Sequence, residues 1–125
     1  MTFITEQGLE LRIVKEKNNL ALVELEGRLD STNASDLQVA LQALINDGVA
    51  NIILSCGSLR YVSSAGLNVF LKAFKEVSKR GNGHFSLCSV AENIKRVLDI
   101  TGFSNFIPLY ADSQQARLQL QKKEL

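Results

Sequence analysis

The chain has few of the residues from which catalytic sites are built. Its 125 residues include one histidine, one proline and two cysteines, and no tryptophan. His84 follows a glycine turn, whereas Ser63 and Ser64 precede the intervening segment, which is predicted to be a helix. Such a helix separates its ends by more than about 20 Å, too far for a Ser-His-Asp arrangement. We therefore predict a surface position for His84 and no enzymatic activity.

Signals for a bound metal or nucleotide are also missing. Cys56 and Cys88 do not resemble a ligand pair, and no cluster of His, Cys, Asp and Glu has the spacing of metal ligands. There is neither a Gly-x-x-x-x-Gly-Lys loop nor a Gly-x-Gly-x-x-Gly fingerprint. We expect no cofactor, no metal and two reduced, structural thiols, as is typical of a cytoplasmic protein.

Strong charge of either sign is absent too. Lysine and arginine number 14 against 13 acidic residues, which leaves a net charge of +1 and no electrostatic footprint for nucleic acid. No apolar stretch approaches the roughly 20 residues that span a bilayer, and the N-terminus shows no secretory signal. We expect a cytoplasmic protein without direct nucleic-acid binding or direct membrane insertion.

What the chain does have is a regular alternation of strand-like and helix-like apolar patterns, with 46% hydrophobic residues. This pattern predicts an α/β fold: one domain over residues 1–125, with a central mixed β-sheet packed against about four helices. The predicted strands are Leu9 to Val14, Leu20 to Leu25, Ala50 to Leu54, His84 to Cys88 and Phe106 to Leu109. The first predicted helix ends near Asn46 and the second near Lys79. The third runs from Ala91 to Ile100, and Asp112 or Ser113 caps the fourth.

Two local details add to this prediction. Pro108 lacks a backbone N–H and so favours an edge position for the last strand. In the third helix, the spacing of Ile94, Val97 and Leu98 indicates that all three point inward.

The segment Tyr61–Leu67 is the most informative one, because it places Ser63 and Ser64 where a loop turns into a helix. The first turn of a helix has unpaired N–H groups and a positive dipole end. A serine there can be an N-cap, part of an anion site or a phosphorylation site. The small residues that follow, Ala65 and Gly66, leave room for another protein's active site to approach.

Charged residues near this segment have two interpretations each. Asp30 follows a strand and precedes a helix, so it is either an N-cap or, if the strands run in the same direction, a neighbour of the serine loop. The helix after the serines carries a basic outer face, which we interpret as a solvated surface rather than a specific anion site. That face comprises Lys72, Lys75, Glu76, Lys79 and Arg80.

Three stretches together resemble the STAS domains of bacterial anti-sigma factor antagonists. These are Gly27–Asp30, Ile52–Leu54 continuing to Tyr61–Leu67, and Ile94–Phe103, which is similar to that family's third helix and the turn after it. The resemblance implies a STAS-like fold and a partner-switching function. The unphosphorylated protein would bind an anti-sigma factor, a serine kinase with a GHKL-type fold, and so release a sigma factor. The kinase would phosphorylate the loop serine, and a PP2C-type phosphatase would reverse this.

The resemblance also implies roles for particular residues. It aligns the family's phospho-acceptor with Ser64, and Ser63 is the alternative acceptor. It implies a partner-binding surface that comprises Asp30, Ser63, Ala65, Gly66 and Leu67. Three positions depart from the family's pattern: Ser63 stands where Asp is frequent, Ala65 where a second serine is frequent, and Ser55 where Asp or Asn is common at the end of the central strand.

Two other functions remain open from the sequence. One is a STAS interaction subunit that is not phosphorylated, in a signalling scaffold or a membrane transport complex, in which the serines only cap the helix. The other is a small-ligand module that binds a nucleotide or an anion at the helix start, for which the chain offers no phosphate loop.

Overall fold

The chain forms a mixed β-sheet with helices against both faces. The computed structural model describes residues 2–5 and 7–124. Its strands are β1 (Thr2–Ile4), β2 (Leu9–Glu16), β3 (Leu20–Leu29), β4 (Asn51–Val62), β5 (His84–Cys88) and β6 (Leu109–Tyr110). Its helices are α1 (Ala34–Asn46), α2 (Ser64–Lys79), α3 (Glu92–Thr101) and α4 (Ser113–Glu124), with a 3-10 turn at Phe103–Asn105.

The strand order in the sheet is the order along the chain, β1-β2-β3-β4-β5-β6. The pairs β1–β2 and β2–β3 are antiparallel, whereas β3–β4, β4–β5 and β5–β6 are parallel. The predicted mixed sheet is therefore confirmed. A parallel pair needs a crossover connection, and α1, α2 and α3 supply the three that are required. As a result, β3, β4 and β5 run in the same direction, and the carboxyl ends of β3 and β4 lie side by side.

Alternation along the strands divides the apolar residues between the two faces. The first face packs against α1, α2 and α3, and this core joins Leu25 and Leu54 of the strands to Phe70 of α2, all at most 1% exposed. The second face is covered in part by α4, where Ala116 packs with Ile53 and Cys88.

Strand β4 is longer than predicted. The apolar run suggested an end at Leu54, but the strand continues to Val62. Beyond Ser55 it pairs with β3 alone, through two register irregularities, and its last pair joins Leu29 to Val62. Gly57 and Ser58 give no strand signal of their own, so the continuation depends on the ladder that β3 provides.

The last strand and the third helix also differ from the prediction. Strand β6 is Leu109–Tyr110 rather than Phe106 to Leu109, and Phe106 ends the 3-10 turn with 63% of its surface exposed. The predicted edge position is correct, and the Pro108 carbonyl accepts a hydrogen bond from the Leu87 N–H at 3.0 Å. Val97 is 40% exposed, so the prediction that it points inward was wrong.

The predicted surface position of His84 was wrong. The residue is 6% exposed, and its ring lies 6.3 Å from the ring of Tyr110, centroid to centroid. It begins β5, a strand with a neighbour on each side, in which every residue is buried. The glycine turn before it indicated exposure, but the position within the sheet decides its burial.

Candidate functional site

Two neighbouring parallel strands end side by side and bring Asp30 next to the serine segment. Leu29 pairs with Val62, and the N–H of Ser63 donates to the Leu29 carbonyl at 2.9 Å. Asp30 and Ser63 are the residues that directly follow these two strands. The sequence-based condition, that both strands run in the same direction, is therefore met.

The two serines have different positions at the start of α2. Ser63 is the N-cap, with extended backbone angles, and its hydroxyl oxygen accepts the Gly66 N–H at 3.4 Å. Ser64 is the first residue of the helix, and its side chain is exposed. Because Ser63 provides the cap, Ser64 is left at the surface with its hydroxyl beside the positive end of the helix.

Gly66 and Leu67 hold the helix against the strand ends rather than face the solvent. A Cβ atom on Gly66 would lie 2.7 Å from Cγ of Leu29 and 3.0 Å from Cγ1 of Val62. Leu67 is 5% exposed and packs in the core. Of the residues predicted to bind a partner, Asp30, Ser63 and Ala65 are partly exposed, whereas Gly66 and Leu67 are buried and position the others.

Asn33 organises the loop between β3 and α1, and sequence reasoning missed it. It is fully buried, and its amide nitrogen donates to the carbonyls of Gln7, at 3.1 Å, and Arg28, at 2.9 Å. Its amide oxygen accepts the Asp30 N–H at 3.0 Å. Asn33 also occupies the N-cap position of α1, so the interpretation of Asp30 as that N-cap is corrected. The available signal was an asparagine directly before a helix, within a run of turn residues.

Asp30 carries a stabilised negative charge. Its carboxylate accepts hydrogen bonds from the Thr32 hydroxyl and from the Thr32 N–H, the latter at 2.9 Å. These bonds lower the pKa of Asp30 below its ordinary value, with a smaller contribution from the charge of Arg28. The group is therefore ionised at neutral pH.

A cation and an aromatic ring, Arg28 and Tyr61, lie next to each other one residue before the ends of β3 and β4. The guanidinium carbon of Arg28 is 4.4 Å from the centroid of the Tyr61 ring, and the two residues are register partners in β3 and β4. Tyr61 is 42% exposed. Together with Asp30 and Ser64, this pair gives the surface at the ends of β3 and β4 a positive charge, a negative charge and an aromatic ring. Such a surface suits protein recognition.

The same geometry excludes Ser64 as a nucleophile activated by His84. His84 pairs with Asn51 at the start of β4, whereas the serines follow the other end of that strand. At about 3.3 Å per residue the two ends lie over 30 Å apart. Among residues 2–5 and 7–124 no group of His, Cys, Asp and Glu could hold a metal ion. No helix in the described part of the chain has the length and apolarity to cross a membrane.

Comparisons with known proteins, by sequence and by structure, agree with one another. Residues 12–116 match the family model of the STAS domain. The anti-sigma-B factor antagonist of Bacillus subtilis is 34% identical over 101 residues, covering 81% of this chain and 91% of that protein. The crystal structure of an anti-sigma factor antagonist from Mycobacterium paratuberculosis has a TM-score of 0.82 at 18% identity, covering 95% and 99% of the two chains. SpoIIAA from Bacillus, solved in its phosphorylated form, has a TM-score of 0.71 at 17% identity, covering 88% and 98%.

Proposed function

The chain belongs to the STAS domain family, and from this we propose that it is an anti-sigma factor antagonist that works by partner switching. In its unphosphorylated form it binds an anti-sigma factor and thereby releases a sigma factor. Phosphorylation of Ser64 blocks that binding. The name of the Bacillus subtilis relative supports the antagonist role.

The observation that carries the proposal is that the two serines have different structural roles. The Ser63 hydroxyl is engaged in the N-cap, whereas Ser64 is exposed at the first position of α2. A phosphate on Ser64 would face the unpaired N–H groups and the positive end of the helix, so the fold accommodates it. The modification therefore changes what the surface binds rather than how the chain folds. Ser63 remains the second candidate acceptor.

The proposed partner is a serine kinase. We propose an anti-sigma factor with a GHKL-type ATP-binding fold, which contacts Asp30, Ser63, Ser64 and Ala65, and a PP2C-type phosphatase that removes the phosphate. The chain itself acts by binding, without a catalytic group or a cofactor of its own. Its place of action is the cytoplasm, where a sigma factor works.

A phosphorylation assay tests this proposal. The chain is incubated with ATP and each of a set of purified kinases, namely the GHKL-type anti-sigma factors of the source organism and the anti-sigma-B factor of Bacillus subtilis as an outside probe. We expect one phosphate on Ser64 by mass spectrometry, none in Ser64→Ala, and retained modification in Ser63→Ala. The absence of any modification, or a modification remote from both serines, would contradict the proposal.

A binding assay with the same kinases separates the second function. Ser64→Asp should weaken binding and Ser64→Ala should preserve it. If both variants bind equally well, the chain is a STAS interaction subunit that is not switched by phosphorylation.

A further inference from the structure

Helix α2 carries an exposed stripe that begins at the proposed phosphorylation site. Ser64, Asn68, Lys72, Lys75 and Lys79 are all exposed, and steps of three and four residues place them on one side of the helix. At 1.5 Å per residue, Lys72 lies about 12 Å along the helix from Ser64. The positive part of the stripe is thus continuous with the serine segment.

The three lysines also form one wall of a groove between α1 and α2. The groove has a volume of about 270 Å³, and apolar side chains of both helices form its floor. Its polar lining, which defines the lysine groove, consists of Gln38, Gln42, Lys72, Lys75, Glu76 and Lys79.

No ion pair among the described residues neutralises the lysines of the lysine groove. Among the described residues the ion pairs are Arg12–Glu24 and Arg117–Glu16, and neither involves α2. Three lysines face a single acidic residue, Glu76, in the lining. Because the whole chain has a net charge of only +1, this positive charge is a local concentration.

In place of the solvated surface that the sequence indicated, we propose that the lysine groove binds an acidic segment of the anti-sigma factor. This inference rests on the proposed function and names the chemistry of the partner's surface. Carboxylates of the segment pair with the lysine ammonium groups, glutamine amides offer further hydrogen bonds, and the apolar floor receives the aliphatic parts.

The same arrangement connects phosphorylation to release of the partner. A phosphoserine adds about −1.5 to −2 charges at pH 7. On Ser64 this charge lies at the head of the stripe, about 12 Å or one and a half Debye lengths from Lys72 at physiological ionic strength, so it acts most strongly on the part of a bound segment that lies nearest to Ser64. An acidic segment seated on the lysines is repelled by it, whereas the helix start tolerates it.

The test compares two triple variants of equal charge. The groove variant is Lys72→Glu/Lys75→Glu/Lys79→Glu, and the control variant is Lys15→Glu/Lys17→Glu/Lys95→Glu, at three exposed lysines elsewhere. Binding to the purified anti-sigma factors described above is measured by calorimetry at low and high salt. Circular dichroism checks that each variant is folded. We expect the groove variant to bind at least about tenfold more weakly, the control variant to bind within about twofold of the wild type, and a loss of salt dependence in the groove variant alone.

The outcomes distinguish this inference from the proposed function. If the wild-type chain binds none of the anti-sigma factors, the proposed function fails, and the lysine groove loses its partner with it. If the wild type binds and the groove variant binds equally well, only the groove is overturned. Equal weakening in both triple variants would show a general charge effect and would also overturn it.

Two further arms complete the test. In the groove-variant background, Ser64→Asp should weaken binding less than it does in the wild-type background. The reason is that the acidic segment, which the added negative charge would repel, is then no longer bound in the lysine groove. Anionic phosphatidylglycerol vesicles and a single-stranded DNA oligonucleotide serve as probes for other anionic occupants. Groove-dependent binding of either one, with anti-sigma factor binding unaffected by the groove variant, would overturn the proposal.

Discussion

The hydroxyl of Ser63 accepts the Gly66 N–H, whereas Ser64 lies one residue further on, at the surface. At the scale of single residues this offset decides which serine supports the fold and which is available to a partner. Local sequence places both at a helix start and cannot separate them, because either can accept a backbone N–H. The strand end fixes the answer, since the Ser63 N–H is bound to the Leu29 carbonyl.

We predict unequal stability effects at the two serines. Ser63→Ala removes the N-cap and should lower the free energy of unfolding by about 1 kcal/mol. Ser64→Ala removes an exposed hydroxyl and should change it by less than about 0.5 kcal/mol. Urea denaturation of both variants measures the difference. A larger loss for Ser64→Ala would show that Ser64 is the cap.

Asn33 shows how one buried amide decides the conformation of a loop. We predict that Asn33→Ala lowers the free energy of unfolding by about 2 to 3 kcal/mol, because the partner groups at Gln7, Arg28 and Asp30 lose their bonds to a fully buried amide. Asn33→Asp should cost at least as much, since a carboxylate would face two carbonyl oxygens. Thr32→Ala, on the exposed side of the loop, is the matched control and should cost less. Thermal denaturation checks the order.

At the scale of secondary-structure elements, the β2–β3 hairpin carries a like-charge pair. Glu10 and Glu26 are direct cross-strand partners. A hydrogen bond with Glu26 is the main cause that raises the pKa of Glu10 above its ordinary value of 4.5. The folded state therefore holds this proton more tightly than the unfolded chain does. The stabilising contribution is present at low pH and is lost as the pH rises through the raised pKa.

From this sign we predict the effect of Glu10→Gln. The variant should have a higher Tm than the wild type at neutral pH, where it removes the repulsion, and the difference should disappear below about pH 4. Glu24→Gln is the control, because the direct cross-strand partner of Glu24 is the cation Arg12, at 3.9 Å, rather than another carboxylate. Tm measured across this pH range checks both variants, and a Tm gain that does not change with pH would refute the explanation.

At the scale of the whole molecule, the two cysteines report on opposite faces of the sheet. Cys56 lies in the core beneath α1, α2 and α3, whereas Cys88 lies beneath α4. Burial raises the pKa of Cys56 to about 12 and also raises that of Cys88. Helix α4 is tied to β2 by Arg117, whose guanidinium donates to both carboxylate oxygens of Glu16 at 2.6 and 2.9 Å.

We predict that Arg117→Ala loosens α4 without opening the other face. In a thiol-labelling experiment under native conditions, Cys88 should react about fivefold faster in the variant, which corresponds to about 1 kcal/mol of lost attachment. The labelling rate of Cys56 should change much less. Equal acceleration at both cysteines would indicate global destabilisation instead.

The sequence determined the order of strands and helices from β2 onwards, the mixed sheet and the position of Ser63 and Ser64 at a helix start, but it did not predict β1. These features depend on periodicity, capping and turn residues, which act over a few neighbouring positions. Only the tertiary structure decided that β4 extends to Val62, that His84 is buried and that Ser63 rather than Ser64 forms the cap. The physical reason is that pairing and burial depend on residues far apart in the chain, here on β3 beside β4 and on the two neighbours of β5.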